Sequence, residues 1–142
     1  MRSLGAAEVV VSGAAGLTPR MVRAAVEHVL RGERRAARVA VTFLGKSQMR
    51  RLNAVFLGHD TTTDVISFPL PQPDGSIAGD IYVCRYTAAR NARQHRAGVR
   101  DELLRLIIHG TLHVLGWDHP AGTARVRSPM WRRQEKYLAA LG

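Results

Sequence analysis

Short runs of β-branched and apolar residues, each bounded by turn residues, predict the strands of this chain. The longest run alternates in polarity from Arg38 to Leu44. Another run is stopped by Pro69, and the last one follows the pair Gly79 and Asp80. Together these patterns predict four strands, at residues 9–11, 38–44, 65–68 and 81–83.

Longer segments carry apolar residues at helical spacing. Thr18 is the expected N-cap of the first helix, with Pro19 at the position where a missing N–H costs nothing, and Gly32 is expected to end it. Ser47 is the expected cap of the second helix, and Asp101 that of a long apolar one. The predicted helices cover residues 19–32, 47–56, 87–96, 101–115 and 130–141.

The order of these elements predicts an α/β (α+β) fold, with a small mixed sheet of about four strands packed with about five helices. The 142 residues contain neither a repeat nor a linker and are expected to form one domain, 1–142. Apolar runs such as 106–108 are too short to cross a membrane, and no leader peptide is recognisable. Because Cys84 stands alone and cannot form an internal disulfide, we expect a cytoplasmic location.

The balance of charge favours a polyanionic partner. Lys and Arg number 21 against 11 Asp and Glu, a formal net charge of +10, so nucleic acid is the first candidate. Only Lys46 and Lys136 are lysines, and arginine is the better residue for bidentate phosphate contacts. Biased codon usage would also produce this excess of arginine, so charge alone leaves both explanations open.

Three histidines have the spacing of a zinc site. His109 and His113 are four residues apart, which places both imidazoles on one face of a helix. Gly116 can end that helix and allow His119 to return toward the same point. Three nitrogens and one open position form a catalytic rather than a structural zinc geometry. The alternative is that His109 and His113 are hydrogen-bonded core residues of an apolar helix.

The spacing matches the zinc-protease pattern H-E-x-x-H-x-x-G-x-x-H, except that Gly110 stands where the catalytic Glu would be. Peptide hydrolysis by that mechanism needs this carboxylate as the base, so protease chemistry is disfavoured. Three neutral imidazoles would leave a zinc ion its full positive charge, which suits an anionic phosphodiester.

These residues, together with further blocks, resemble the YbeY family of bacterial endoribonucleases, which take part in ribosomal RNA maturation. The segment from His109 to His119 resembles the family signature H-G-x-L-H-L-x-G-Y/W-D-H. Residues 52–53, 63–69 and 79–81 resemble the blocks L-N, T-D-V-L-S-F-P and G-D-I. The last predicted helix resembles the family's C-terminal helix at Met130, Glu135 and Leu138.

The resemblance implies a metal, a substrate and partners. It implies one Zn²⁺ per chain, bound by His109, His113 and His119. It also implies single-stranded RNA, ribosomal RNA in particular, as substrate, and ribosomes or ribosomal proteins as partners. The family usually carries an arginine, tied to its nuclease activity, at the position of Leu57. Activity would then be reduced, or Arg50 or Arg51 would replace the missing guanidinium.

Further residues are candidates for supporting roles. Asp118 would orient one of the ligand histidines, act as a weak base, or simply belong to a turn. Asp64 and Ser67 would line a cleft facing the metal, although Asp64 could equally stabilise the turn before its strand. An Arg-rich helix with its alanines facing inward would offer an RNA-backbone face. The expected RNA contacts are Arg50, Arg51, Asn53, Asp64, Ser67, Arg85, Arg90 and Arg93.

Three functions are compatible with these residues. The first is a zinc-dependent, single-strand-specific endoribonuclease acting in ribosomal RNA maturation and ribosome quality control, with water or the ribose 2′-hydroxyl as nucleophile. The second is a non-catalytic, zinc-containing, ribosome-associated RNA-binding factor, in which Leu57 marks lost chemistry. The third is a zinc hydrolase of peptides or amides, which Gly110 disfavours.

Overall fold

The computed structural model describes residues 8–13, 16–58, 61–94, 96–118 and 128–141. Within these ranges the chain forms four strands and five helices, as the sequence predicts. They follow in the order β1 (Glu8–Ser12), α1 (Pro19–Glu33), β2 (Arg38–Leu44), α2 (Lys46–Leu57), β3 (Val65–Pro69), β4 (Ala78–Cys84), α3 (Arg85–Gln94), α4 (Val99–Val114) and α5 (Pro129–Leu141). None of these helices is both long enough and apolar enough to cross a membrane.

The strands form one sheet in the order β1-β2-β4-β3. Strands β1, β2 and β4 run parallel, whereas β3 pairs antiparallel with β4, so the predicted mixed sheet is confirmed. Pro69 is the last residue of β3 and does not stop the strand before it. β3 is an edge strand of the described sheet. Because the next residue, Leu70, donates its N–H to the Ala78 carbonyl, the nitrogen of Pro69 faces away from β4, where no described strand pairs with it.

One face of the sheet carries the main core. Alternation along β2 buries Val39, Val41 and Phe43, and Ile81 and Val83 of β4 lie beside them on the same face. Helices α1 and α4 pack against this side. The histidine-bearing helix α4 therefore lies directly on the sheet.

The opposite face of the sheet is covered in part by α2. Met49 of this helix packs on Ile66 and Cys84, with Phe68 and Tyr82 partly buried beside them. Alternation of side chains along β3 and β4 places these residues on the side away from α4.

Thr18 caps α1 as predicted, since its Oγ1 accepts a hydrogen bond from the Met21 N–H at 3.1 Å. The prediction that Gly32 ends this helix is wrong, because the left-handed residue is Arg34, at φ 56°. Gly32 lies within the helix, where a Cβ would come within 2.7 Å of Cζ of Tyr137. The glycine therefore allows α1 to approach α5 closely.

Two predicted N-caps lie inside their helices. Helix α2 begins at Lys46, one residue before Ser47, and Oε1 of Gln48 accepts from the Gly45 N–H at 2.9 Å. Helix α4 begins after Gly98, so Asp101 lies in its first turn. A negative charge there still stabilises the helix by interacting with the positive end of the helix dipole. In both helices a glycine takes the extended position that the sequence analysis gives to a polar cap.

Candidate metal centre

His109 and His113 lie on one face of α4. Their ring centroids are 4.6 Å apart, the ring planes meet at 79°, and both residues are half-buried. Helix α4 remains regular to Val114, so one imidazole lies a turn above the other, as the four-residue spacing predicts.

The chain turns directly after this pair. Gly116 has a φ of 103°, and the Trp117 N–H donates to the Leu112 carbonyl at 3.0 Å. This is the helix end that the sequence predicts at Gly116. His119 lies outside the described residues, so its return toward the pair stays a prediction. Within the described ranges, no three His, Cys, Asp or Glu side chains form a metal-binding group.

Gln134 of α5 fixes the tautomer of His109. This glutamine is only 1% exposed, and its Oε1 lies 2.6 Å from Nδ1 of His109. Its Nε2 donates to the Glu135 carboxylate at 3.0 Å, so the amide oxygen is the end that faces the imidazole. Nδ1 of His109 therefore carries the proton, and Nε2 carries the lone pair that a zinc ligand needs.

Arg105 holds Glu135 in place from α4. Its Nε and Nη2 donate to the two Glu135 oxygens at 2.9 and 3.0 Å, and Nη1 donates to the buried Glu102 at 2.6 Å. The hydrogen bond to Glu135 is the main cause that raises the pKa of Arg105 above its usual value. Since two carboxylates already bind this guanidinium, it supports Gln134 rather than offering a phosphate contact.

Asp118 lies near His113 without a hydrogen bond to it. Its Oδ1 is 3.9 Å from Nδ1 of His113, and its side chain is 97% exposed. This separation is longer than a hydrogen bond. The structure thus places Asp118 beside the histidine pair, and the roles considered for it stay predictions.

A cavity of about 420 Å³ opens beside His109, between β3, α3, α4 and α5. Asp64 lines it together with His109. Its Oδ2 accepts from Asn91 at 3.0 Å, and its Oδ1 accepts from the Val65 N–H at 2.8 Å. Asp64 therefore both lines the cavity and stabilises the start of β3. Ser67 is not among the residues that line this cavity; it lies further along β3, opposite Ile81.

Gly110 faces the sheet rather than the histidine pair. A Cβ at this position would come within 2.7 Å of Cγ2 of Ile81. The residue that replaces the protease glutamate is therefore a packing residue, and a carboxylate there would point into the core. This geometry gives a physical reason for the disfavoured protease chemistry.

The predicted RNA contacts divide into exposed and buried residues. Arg50 and Arg51 of α2 are exposed, as are three arginines of α3 whose Ala88 and Ala92 are buried: Arg85, Arg90 and Arg93. Asn53 is only 4% exposed, and its amide donates to the Thr61 carbonyl at 2.8 Å. Its side chain therefore holds the segment after α2.

Glu33, at the end of α1, ties the segment after α4 to α5. Its carboxylate accepts from Nε1 of Trp117 at 2.8 Å and from the Tyr137 hydroxyl, and Arg133 lies 3.4 Å away. Burial and this hydrogen bond raise the pKa of Tyr137 to about 12. The cluster thereby holds Trp117, just after the end of α4, against α1 and α5.

The sequence analysis did not single out Gln134 or Glu33. Gln134 stands on the buried stripe of α5, four residues after Met130 and three before Tyr137. A polar residue on an otherwise apolar helical stripe was the available signal, because a buried amide needs a specific partner. Glu33 gave no such signal, since its partners are remote in sequence.

Comparison with known proteins identifies the family. The model of the family described as Endoribonuclease YbeY matches residues 14–142. The chain belongs to the YbeY family. An Endoribonuclease YbeY of Chloroherpeton thalassium is 36% identical over 121 residues, which are 84% of each chain. A relative from Halorhodospira halophila is 33% identical over 140 residues, 93% of this chain and 88% of its own.

Coverage differs among the YbeY relatives. One from Anaeromyxobacter sp. is 45% identical, but the match spans 63% of this chain and 49% of that protein. A solution structure from Thermotoga maritima has a TM-score of 0.68 and 31% identity, covering 94% of this chain and 88% of that one. The sheet and helices described above are thus shared with a solved structure.

Proposed function

We propose that this YbeY-family chain is a zinc-dependent endoribonuclease that cleaves single-stranded RNA. The observation that carries the proposal is the hydrogen bond between His109 and Gln134. A buried amide, itself held by Glu135 and Arg105, selects the imidazole nitrogen that presents a lone pair, which is typical of metal-ligating histidines. The names of the YbeY relatives support RNA as the substrate.

The proposed ligands are His109, His113 and His119. When bound by three neutral imidazoles, zinc supplies a positive charge that stabilises negative charge on a phosphodiester oxygen. Gln134 orients His109, and Asp64 provides a fixed carboxylate in the adjoining cavity. Exposed arginines of α2 and α3 would hold the RNA backbone.

The proposal extends to the cellular role. We place the chain in ribosomal RNA maturation and ribosome quality control, with the ribosome or its proteins as partners and the cytoplasm as location. The net charge of +10 supports association with large RNA.

Metal analysis and RNA cleavage, measured on the same samples, test this function. We expect about one zinc per chain, cleavage that a chelator abolishes and zinc restores, and loss of both bound zinc and cleavage in His113→Ala. The matched control is His28→Gln. His28 is not a proposed ligand, and its Nε2 donates a hydrogen bond to the Tyr137 carbonyl between α1 and α5. Unchanged metal content and cleavage in His113→Ala would overturn the proposal.

The nucleophile can be identified with a modified substrate. Replacing the 2′-hydroxyl by hydrogen at the cleaved nucleotide removes one of the two candidates. Continued cleavage would assign the attack to water, whereas loss of cleavage at that nucleotide alone would assign it to the 2′-hydroxyl.

Leu57 supports a second candidate, a non-catalytic RNA-binding factor. It lies at the end of α2, 48% exposed, at the position of the family arginine. The non-catalytic reading predicts RNA binding without metal-dependent turnover in the wild type, and appearance of cleavage in Leu57→Arg. Robust cleavage by the wild-type protein would exclude it.

A further inference from the structure

Three consecutive apolar residues at the end of α2 face outward. Val55, Phe56 and Leu57 are 75%, 63% and 48% exposed. Apolar side chains scattered singly over a surface are ordinary, but a contiguous exposed group marks an interaction surface.

Phe56 continues into a row of aromatic rings on the sheet. Its ring lies 5.5 Å from that of Phe68, and Phe68 lies 6.0 Å from Tyr82, both pairs edge to face. A groove of about 280 Å³ runs beside them, lined by Leu52, Val55, Phe56, Tyr82 and Arg51 among others. We call Phe56, Phe68 and Tyr82 the aromatic platform.

Helix α2, which carries Phe56, and the neighbouring helix α3 are cationic. Helices α2 and α3 contain no Asp or Glu, and between them they carry Lys46, Arg50, Arg51, Arg85, Arg90 and Arg93. Lys46 lies 4.6 Å from the ring centre of the exposed Tyr86. Asp80 pairs with Phe68 across β3 and β4. Burial first, and then the charge of Asp80, raises the pKa of Tyr82.

We infer that the aromatic platform and the flanking α2 arginines bind unpaired bases and phosphates of single-stranded RNA. Aromatic rings beside arginines are the combination that binds single strands, because every base has a face that can stack and every phosphate carries a charge. An acidic peptide would use the arginines but would not require the rings. The inference rests on the proposed function and extends it to a surface away from the histidines.

The aromatic platform and the cavity with His109 lie on opposite faces of the sheet, separated by one edge strand. Val65, which lines the cavity, pairs with Val83 on the α4 side of β3, and Phe68 lies three residues further along on the α2 side. A single-stranded RNA that passes around the β3 edge of the sheet would reach both the aromatic platform and the cavity with His109.

Binding of matched single-stranded probes tests the inference. The probes are a fluorescein-labelled oligothymidylate and an abasic deoxyribose oligomer of equal length, each checked on a gel for intactness. Phe56→Ala is expected to raise the Kd for oligothymidylate about 5- to 150-fold while changing the Kd for the abasic oligomer little. Phe56→Leu keeps an apolar side chain without the ring and should also lose affinity for oligothymidylate.

Arg51→Ala supplies the second arm of the test, because it should weaken binding of both oligomers. Bound zinc and the thermal unfolding midpoint are measured on every variant to show that the fold is kept.

Wild-type affinity of Phe56→Ala for oligothymidylate would overturn the inference, as would an equal loss for both oligomers. If Phe56→Ala bound the oligomers normally but no longer bound a ribosomal protein, the surface would be a protein-binding one and the inference would fail. RNA cleavage is measured separately, so failure of the platform and failure of the nuclease proposal give different results.

Discussion

At the scale of single residues, Gln134 shows how a neutral side chain can orient His109, a proposed metal ligand. Its amide has two different ends, and Glu135 accepts from one of them, so the other must accept from His109. The imidazole is thereby held in one tautomer and one orientation before any ligand arrives. This order of contacts makes Gln134 a positioning residue.

Replacement of Gln134 should weaken zinc binding without removing a ligand. Gln134→Met keeps the volume but loses the acceptor, and we expect zinc affinity to fall about 10- to 100-fold. Gln134→Glu keeps an acceptor for Nδ1 and should retain more affinity than the methionine variant. Competition with a chromophoric chelator measures both. Equal zinc affinity of wild type and Gln134→Met would contradict the role.

Gly110 gives a second prediction at this scale, about stability. Gly110→Ala introduces a Cβ that would lie within 2.7 Å of the Ile81 side chain, so the free energy of unfolding should fall by about 1–3 kcal/mol. Gly98→Ala is the matched control, because an added Cβ there meets no atom within 4 Å. Urea unfolding measures the difference. Equal losses in the two variants would show that crowding at Ile81 is not the cause.

At the scale of elements, the sequence predicted which segments form helices and strands better than where each helix ends. The alternation of β-branched residues over 38–44 is a local signal, and the strand that it predicts matches β2 residue for residue. Gly32 is a contact point with Tyr137, which is more than a hundred positions away in the sequence. Because that contact leaves no local signal, the glycine was wrongly predicted to end α1, whose C-cap is Arg34. Helix α3 likewise begins at Arg85 and not at 87, directly after β4.

The candidate site divides in the same way between local and remote signals. The spacing of His109 and His113 is a local signal, and their geometry follows from one helix. The partner of His109 comes from α5, and no pattern around His109 points to it. Packing between helices, rather than periodicity along one helix, decides such pairs.

The contact between α1 and α5 through Glu33 and Tyr137 should make stability depend on pH. The pKa of Tyr137 is raised to about 12, above the ordinary value near 10, so the folded state holds this proton more tightly than the unfolded state. The stabilisation is therefore complete below pH 10 and is lost as the pH rises toward 12. Tyr82, whose pKa is also raised, contributes with the same sign.

Tyr137→Phe tests this dependence. The variant should lose stability at neutral pH, because the hydroxyl no longer donates to Glu33, and its free energy of unfolding should fall less steeply between pH 10 and 12 than that of the wild type. Urea unfolding over a pH series gives both slopes. Parallel slopes would rule out Tyr137 as the titrating group.

At the scale of the whole molecule, the charge excess is distributed unevenly. Several carboxylates accept hydrogen bonds from neighbouring side chains of the protein, namely Glu33, Glu102, Glu135 and Asp64. Arginines of α2 and α3 remain on the outside. The exposed faces of α2 and α3 are therefore cationic.

RNA affinity should accordingly fall steeply with salt. Each phosphate contact contributes about −0.7 to the slope of log K against log salt for a single strand. Arg90→Ala on α3 should reduce the steepness by about that amount, whereas Arg20→Ala on α1 should leave it unchanged. Fluorescence anisotropy at several salt concentrations measures the slopes. An equal change in both variants would mean that α3 is not a preferred face.

The imino acid at the end of β3 has a consequence for how these molecules behave toward one another. An unpaired strand margin is where a foreign chain can add itself and begin aggregation. Pro69 lacks an amide hydrogen, so an incoming strand finds one donor fewer on that margin. At the β3 edge of the described sheet, Pro69 therefore makes the addition of a foreign strand less favourable.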